Sequence, residues 1–245
     1  TNNRIIDLKI NGPFGNKLAL HPKQNIVYKT ALYFMKKYNI SSDIIISLNK
    51  KLPIASGIGG GSADAAATLR KLIKVFNINK SIFDKNIQIE IAKELGADIP
   101  VCLHSYSLNI KSIGEKIARL PINLKKAIVH NNYIILVTPN KPISTKLVFN
   151  NWCRYSHLTK IINIKKNCPK IGINNLKSTS ENIEYSIIIA QKFLSLQNGI
   201  KYFGMSGSGA TCFGLFKNKI LAKKAENKIR CIRPKWWVKS SSIII

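Results

Sequence analysis

The stretch Leu52-Pro53-Ile54-Ala55-Ser56-Gly57-Ile58-Gly59-Gly60-Gly61-Ser62-Ala63-Asp64-Ala65-Ala66 decides how this chain is read. Before it, Asp43 to Leu48 is short and β-branched and reads as a strand. After it, Ala63 to Val75 carries Ala66, Leu69, Leu72 and Ile73 among strong helix formers and reads as a helix. A strand, a glycine loop, a serine and a helix in that order offer a row of backbone N–H groups to an anion. Glycine removes the Cβ atoms that would block close approach, and the helix N-terminus adds unsatisfied donors and a partial positive charge. The competing reading is a tight turn with Ser62 as the helix cap. Four glycines, at 57, 59, 60 and 61, are more than a turn needs, since each costs roughly 1 kcal/mol of backbone entropy. Phosphate binding is therefore preferred. Ser62 occupies the expected N-cap position, with a hydroxyl able to reach a phosphate or Mg2+.

Two familiar phosphate motifs are excluded. The loop ends Gly61-Ser62-Ala63 with no lysine, so it is not a P-loop. A dinucleotide fingerprint needs an acid on the next strand, and Asp84 follows a turn-like Asn77–Ser81 instead.

Outward from the loop, Ile26 to Tyr38 has helical spacing, and Ile87 to Leu95 reads as a helix stopped by Gly96 with Pro100 soon after. Tyr133 to Thr138 is a buried-type strand, and Ile187 to Leu196 and Ile220 to Ile229 read as helices. A second glycine loop, Gly204 to Gly209, leads into a strand at Thr211 to Phe216. The Lys- and Asn-rich stretch at about 150–178 is the loosest region. Strands and helices alternate irregularly, which predicts an α+β or α/β protein. A boundary near 125–132 gives two lobes, 1–130 and 131–245, each owning one glycine loop.

Composition narrows the classes. The chain has 245 residues, 45% of them hydrophobic, which excludes wholesale disorder. No apolar run approaches the ~18 residues that suggest a membrane span. The net charge of +28 invites a nucleic-acid partner. However, Ile (41), Lys (33) and Asn (25) all have A/T-rich codons, and Arg numbers only 6. A dedicated phosphate-backbone surface draws more heavily on the bidentate arginine fork, so base-biased composition is preferred and a nucleic-acid partner is disfavoured. Residues 1–115 hold 8 of the 11 acids, and none occurs from Lys116 to Ser180. Acid–base chemistry is therefore sought in the first half. Five dispersed cysteines without a C-x-x-C pair fit a reduced, cytosolic protein, and they and the four histidines lack zinc-ligand spacing.

Three segments, in order, resemble the GHMP small-molecule kinases. The first is Leu52-Pro53 through Gly57-x-Gly59-Gly60-Gly61-Ser62-x-Asp64-Ala65-Ala66. The second is Leu95-Gly96-Ala97-Asp98-Ile99-Pro100-Val101, and the third is Met205-Ser206-Gly207-Ser208-Gly209-Ala210-Thr211-Cys212-Phe213. Gly114-Glu115, Thr138-Pro139, Ile143-Ser144-Thr145 and Pro234-x-Trp236-Trp237 agree with the branch that phosphorylates a cytidine-diphosphate alcohol. The resemblance implies a two-lobed α+β fold with a ribosomal-protein-like N-terminal lobe and a ferredoxin-like C-terminal lobe. It implies ATP and Mg2+ as cofactors and a small-molecule substrate.

The residue roles it implies follow the motifs. Pro53, Ile54, Ala55, Ser56, Gly57, Ile58, Gly59, Gly60, Gly61, Ser62 and Ala63 hold ATP, with Asn25 near adenine and Lys50 on the nucleotide side. Ser62 is the metal candidate. Asp98 is the general base on the substrate hydroxyl, against the alternative of a turn or capping aspartate. Ser206, Gly207, Ser208, Gly209 and Thr211 lie on the substrate or phosphate side, against the alternative of a β-hairpin turn. Asp64 is expected in the first helical turn, favoured there by the dipole, with metal contact as the lesser alternative, and Glu90 and Glu94 on a helix face.

The family's Ala-Lys-x-Asn and Asp-Gly-Tyr-His segments are not found, so the chain is expected to begin a few dozen residues into the family pattern, and Thr1–Ile245 alone to turn over weakly or not at all. A C-terminal Asn-Asp-Leu segment is replaced by Glu181-Asn182-Ile183. Rival readings are a kinase of the same family acting on another alcohol such as homoserine or mevalonate, a basic RNA-binding module of related fold, and a relic that no longer catalyses.

Overall fold

The computed structural model describes residues 5–78, 84–111, 116–155 and 174–244. Gly114-Glu115 and Cys168 lie outside the described residues. The chain divides into two compact units, Thr1–Ile54 with Gly59–Leu120, and Ala55–Ile58 with Pro121–Ile245. The division falls before the expected boundary, and four residues of the first glycine loop group with the second unit.

The first unit runs β1 (Ile6–Asn11), α1 (Asn16–Ala19), α2 (Ile26–Lys37), β2 (Ile44–Asn49), α3 (Gly60–Val75), α4 (Lys85–Glu94), α5 (Ile99–His104), β3 (Leu108–Lys111) and β4 (Lys116–Arg119). β1 and β2 pair in parallel from Ile6↔Ile44 to Asn11↔Asn49, which requires the crossover that α2 supplies. Along β2, Ile44, Ile46 and Leu48 are half-buried while Ile45, Ser47 and Asn49 are exposed, the period of two of a one-sided strand. Phe34 and Ala31 of α2 pack with Ala65, Ala66, Leu69 and Leu72 of α3, Ile91 of α4, and Ile99 and Leu103 of α5. The small side chains at 31, 65 and 66 let α2 and α3 approach closely. The loop after β2 therefore leaves a fixed strand and enters a helix that is buried along one face.

The second unit runs α6 (Ile122–His130), β5 (Tyr133–Thr138), α7 (Thr145–Tyr155), α8 (Lys177–Ile183), α9 (Ser186–Ser195), β6 (Ile200–Met205), β7 (Cys212–Phe216), α10 (Lys219–Ile232) and β8 (Trp237–Ser242). Its sheet order is β6-β7-β5-β8, every neighbour antiparallel. Strand, helices, hairpin, helix, strand in that order is the expected ferredoxin-like arrangement. Ile135 and Val137 of β5 and Phe216 of β7 meet Ile187, Ala190 and Leu194 of α9 and Ala222, Ala225 and Ile229 of α10. Glu226 is fully buried, and its carboxylate accepts from Ser240 N (2.9 Å), Ser240 Oγ (2.6 Å) and Lys223 Nζ (2.9 Å). That acid is thus committed to the fold.

Of the stretch expected to be loosest, 150–178, residues 156–173 lie outside the described residues. Residues 151–155 continue α7, and Lys177 and Ser178 begin α8. Just before this stretch, Val148, fully buried, and Ile143, 4% exposed, join the core of the second unit.

Candidate active site

In the first unit, α3 starts at Gly60 with Gly59 as its N-cap at φ 66°, ψ 16°. That left-handed backbone favours glycine. A Cβ at Gly59 would meet nothing within 4 Å, so packing does not demand the glycine there. The first helical bond runs from Ala63 N to the Gly59 carbonyl at 2.9 Å. The N–H groups of Gly60, Gly61 and Ser62 precede it and are the donors a helix start offers to an anion.

Ser62 is not the N-cap. Gly59's left-handed turn starts the helix at Gly60 rather than Ala63, and no side chain caps it. The Ser62 hydroxyl makes no hydrogen bond among the described residues. Asp64 also departs from expectation, because it lies beyond the first turn and forms an ion pair with Lys50. Lys50 is 5% exposed, and its Nζ lies 3.3 Å from where a Cβ on Gly60 would stand. Nothing in the sequence marks this pair, since the partners lie on a strand end and a helix with no motif joining them.

Asn25 is the N-cap of α2, its Oδ1 accepting from Val27 N at 2.9 Å. It is 8% exposed, so the oxygen's first duty is structural. Glu90, expected on a helix face, accepts from the Tyr33 hydroxyl at 2.6 Å and from Lys37, tying α4 to α2. The hydrogen bond from Lys37, followed by that from Tyr33, holds its carboxyl below the usual value. Glu94 is exposed on α4.

Asp98 stands at the N-cap position of α5 with φ −83° and ψ −11°, and its side chain makes no cap hydrogen bond. The capping alternative therefore fails, and the exposed carboxylate is uncommitted to the helix start. The segment around it is held firmly. Gly96 at φ 145° turns the chain, Ile99 N donates to the Gly96 carbonyl at 3.1 Å, and Ile99 is buried. At the other end of α5, Arg70 Nη1 donates to the carbonyls of Cys102 (2.8 Å) and Leu103 (3.2 Å). Arg70 is thus a supporting residue that no motif signals. Burial, followed by the nearby Asp98 charge, pushes the Cys102 thiol up, which leaves it a poor nucleophile.

In the second unit, Ser206–Thr211 joins β6 to β7, so the hairpin alternative describes its backbone. This connection grips Ala55–Ile58. Ser206 Oγ donates to the Gly57 carbonyl at 2.8 Å, and Thr211 N donates to the Ser56 carbonyl at 3.1 Å. Gly57, at φ 73°, has no room for a Cβ, which would lie 2.5 Å from the Gly209 oxygen and 2.6 Å from that of Ser206. Thr211 is fully buried with its hydroxyl 2.7 Å from that of Thr138, so that side chain is internal. Ser208 Oγ lies 2.9 Å from Thr145 Oγ1, and its carbonyl accepts from Ser180 Oγ at 3.0 Å. Asn174 Nδ2 donates to the carbonyls of Met205 (3.1 Å) and Gly207 (2.7 Å). The hydroxyls expected to face a substrate thus have protein partners; Thr138 and Thr145, both in segments that agree with the family branch, support the loop, and Asn174 is a support the motif reading did not single out.

Residues 25–106 match the GHMP kinases N-terminal domain, and residues 163–233 match the GHMP kinases C-terminal family. A curated 4-diphosphocytidyl-2-C-methyl-D-erythritol kinase of Clostridium botulinum strain Alaska E43 is 34% identical over 238 residues, 92% of this chain and 79% of that protein. The chain belongs to the GHMP kinase family. In this GHMP kinase the N-terminal match contains Asn25, Lys50, the first glycine loop and Asp98, and the C-terminal match contains Ser206–Thr211. A crystal structure of 4-(cytidine 5'-diphospho)-2C-methyl-D-erythritol kinase aligns with TM-score 0.72 at 21% identity, over 98% of this chain and 82% of that one. A homoserine kinase from Cytophaga hutchinsonii ATCC 33406 aligns with TM-score 0.62 at 16% identity, over 99% and 84%. Both likenesses concern the GHMP kinase fold, which by itself does not choose an alcohol. Among the described residues, no helix is long and apolar enough to cross a membrane.

Proposed function

We propose that the chain is a cytosolic, ATP-dependent kinase that phosphorylates the 2-hydroxyl of 4-diphosphocytidyl-2-C-methyl-D-erythritol in non-mevalonate isoprenoid precursor synthesis. The observation that carries this reading is the 34% identity to the clostridial kinase of that name across 92% of the chain. The geometry is consistent with it. Phosphoryl transfer to a hydroxyl needs a cradle for the phosphates, neutralisation of their charge, and a group to take or orient the hydroxyl proton.

The N–H groups of Gly60, Gly61 and Ser62 would bind the phosphates, and the open space at Gly59 leaves them approachable. Mg2+ supplies charge neutralisation to bound phosphates. The Ser62 hydroxyl, which has no partner among the described residues, is the group here that fits it. Asp98 would accept the hydroxyl proton, since its carboxylate is exposed and held by no cap bond. Ser206–Thr211 would act through backbone and through its grip on Gly57 rather than through its hydroxyls.

The test is ATP consumption with the cytidine-diphosphate alcohol, homoserine and mevalonate in parallel, by the chain supplied with the family's Ala-Lys-x-Asn and Asp-Gly-Tyr-His segments ahead of Thr1, since Thr1–Ile245 alone is expected to turn over weakly or not at all. Turnover confined to the first is expected, and turnover of another alcohol alone redirects the substrate. Salt-sensitive RNA binding that survives Asp98→Ala, with no ATP turnover even when those two segments are supplied, overturns the kinase reading.

A further inference from the structure

Lys50 follows β2, and its backbone is held on both sides. Its N–H donates to the Asn11 carbonyl at 2.8 Å, and its carbonyl accepts from Phe14 N at 3.2 Å. The side chain, 6% exposed, runs inward to an ammonium ion-paired with Asp64, whose side chain is 25% exposed. This is an uncommon place for a lysine. Lysine is seldom fully buried without a partner, and the start of α3 beside it carries the positive end of a helix dipole. Replacing a buried ion pair by apolar residues is often neutral or stabilising. The fold instead keeps a cation against Gly60, whose missing Cβ leaves Nζ room at 3.3 Å, and supplies Asp64 one turn further along to hold it there.

We infer that Asp64 is a positioning residue for a nucleoside triphosphate. It fixes the Lys50 ammonium beside the first turn of α3, so that a polyphosphate seated on the N–H groups of Gly60–Ser62 meets an oriented cation. The carboxylate acts through Lys50 and does not itself meet the ligand, which it would repel. The inference rests on the ATP reading above and adds to it a residue and a coupling.

The experiment is titration of the purified chain with a fluorescent ATP analogue, with melting temperature recorded for each variant. Asp64→Asn should weaken binding about tenfold, equivalent to about 1.4 kcal/mol, and Asp64→Glu should recover most of it. Lys50→Met should weaken binding similarly, and Asp64→Asn should add nothing in the Lys50→Met background. In steady state, Asp64→Asn should raise KM for ATP and leave kcat within about twofold. Unchanged analogue affinity in Asp64→Asn, with only a lower melting temperature, overturns the inference. So do additive losses in the double variant. A wild-type chain supplied with the two family segments that binds the analogue and phosphorylates another alcohol but not the cytidine-diphosphate alcohol removes the substrate assignment and leaves this inference standing. A wild-type chain that binds no analogue removes both.

Discussion

Asp84 and Asp98 occupy the same position, the N-cap, of successive helices in one unit, yet they are used differently. Asp84 has extended ψ (133°), and its Oδ1 accepts from Asn86 N at 2.9 Å and Ile87 N at 3.2 Å. Asp98 has ψ −11° and makes no such bond. The side chain of an N-cap residue reaches its own helix only from a β-like backbone. The turn at Gly96 and the buried Ile99 hold Asp98 away from that conformation. On α4 itself, Glu90 is likewise engaged, with Tyr33 and Lys37, whereas Glu94 is exposed. The residue type therefore does not separate an aspartate committed to its helix from one that is not, whereas the backbone angle does.

The largest effect should come from Asp98. Asp98→Asn should lower kcat about 10²–10⁴-fold while the melting temperature stays that of the wild type. A large stability loss with little change in kcat would make Asp98 another Asp84 and break the contrast.

Gly57 and Gly59 repeat the contrast in glycines. Both have positive φ, but Gly57 is jammed against Ser206 and Gly209 whereas Gly59 faces open space. Gly57→Ala should destabilise by about 2–4 kcal/mol, from overpacking and backbone strain together. Gly59→Ala should cost about 1–2 kcal/mol from φ alone and act mainly by raising KM for ATP. Thermal melts with steady-state kinetics on both variants check this, and equal stability losses would erase the distinction.

Asp84→Ala should cost about 1 kcal/mol, a fall of about 2–4 °C in melting temperature, with kcat unchanged. A drop in kcat beyond that of the folded fraction would extend the chemistry to α4.

The smallest effect is a pH dependence. Lys37 and Tyr33 hold the Glu90 carboxyl below its ordinary 4.5 in the folded chain. Its stabilisation is therefore present above the unfolded-state value and lost as pH falls through the lowered one. With 43% of the side chain exposed, solvent screening keeps the effect small. Glu90→Gln should show a shallower acid-side loss of melting temperature than the wild type. Coincident curves would free Glu90 from its assigned role on α4.

Much of the fold was legible where periodicity was strong. Tyr133 to Thr138 is a strand with the expected ends, and the helices expected from Ile26, Ile87, Ile187 and Ile220 lie within a few residues of their observed limits. β8 was not read, because Trp237-Val238-Lys239-Ser240-Ser241-Ser242 has little alternation and owes its place to pairing with β5. α7 was partly hidden for the same kind of reason, its core contact at Val148 standing among Asn and Lys. In the site, the motifs marked Gly59–Ser62, Asp98 and Ser206–Thr211, but Ser62 was misplaced as a cap because Gly59's backbone conformation is not written in residue type.

By itself, the sequence determined the family, the order of its motifs and the places where a glycine or an aspartate was available. The tertiary structure decided which of these groups are committed elsewhere. Lys50 meets Asp64 across a strand end and a helix, Glu90 meets Tyr33 across 57 residues, and Ser206 meets Gly57 across 149. A hydrogen-bonding group is available for chemistry only when no partner has taken it, and partners so far apart in the chain are brought together only by folding.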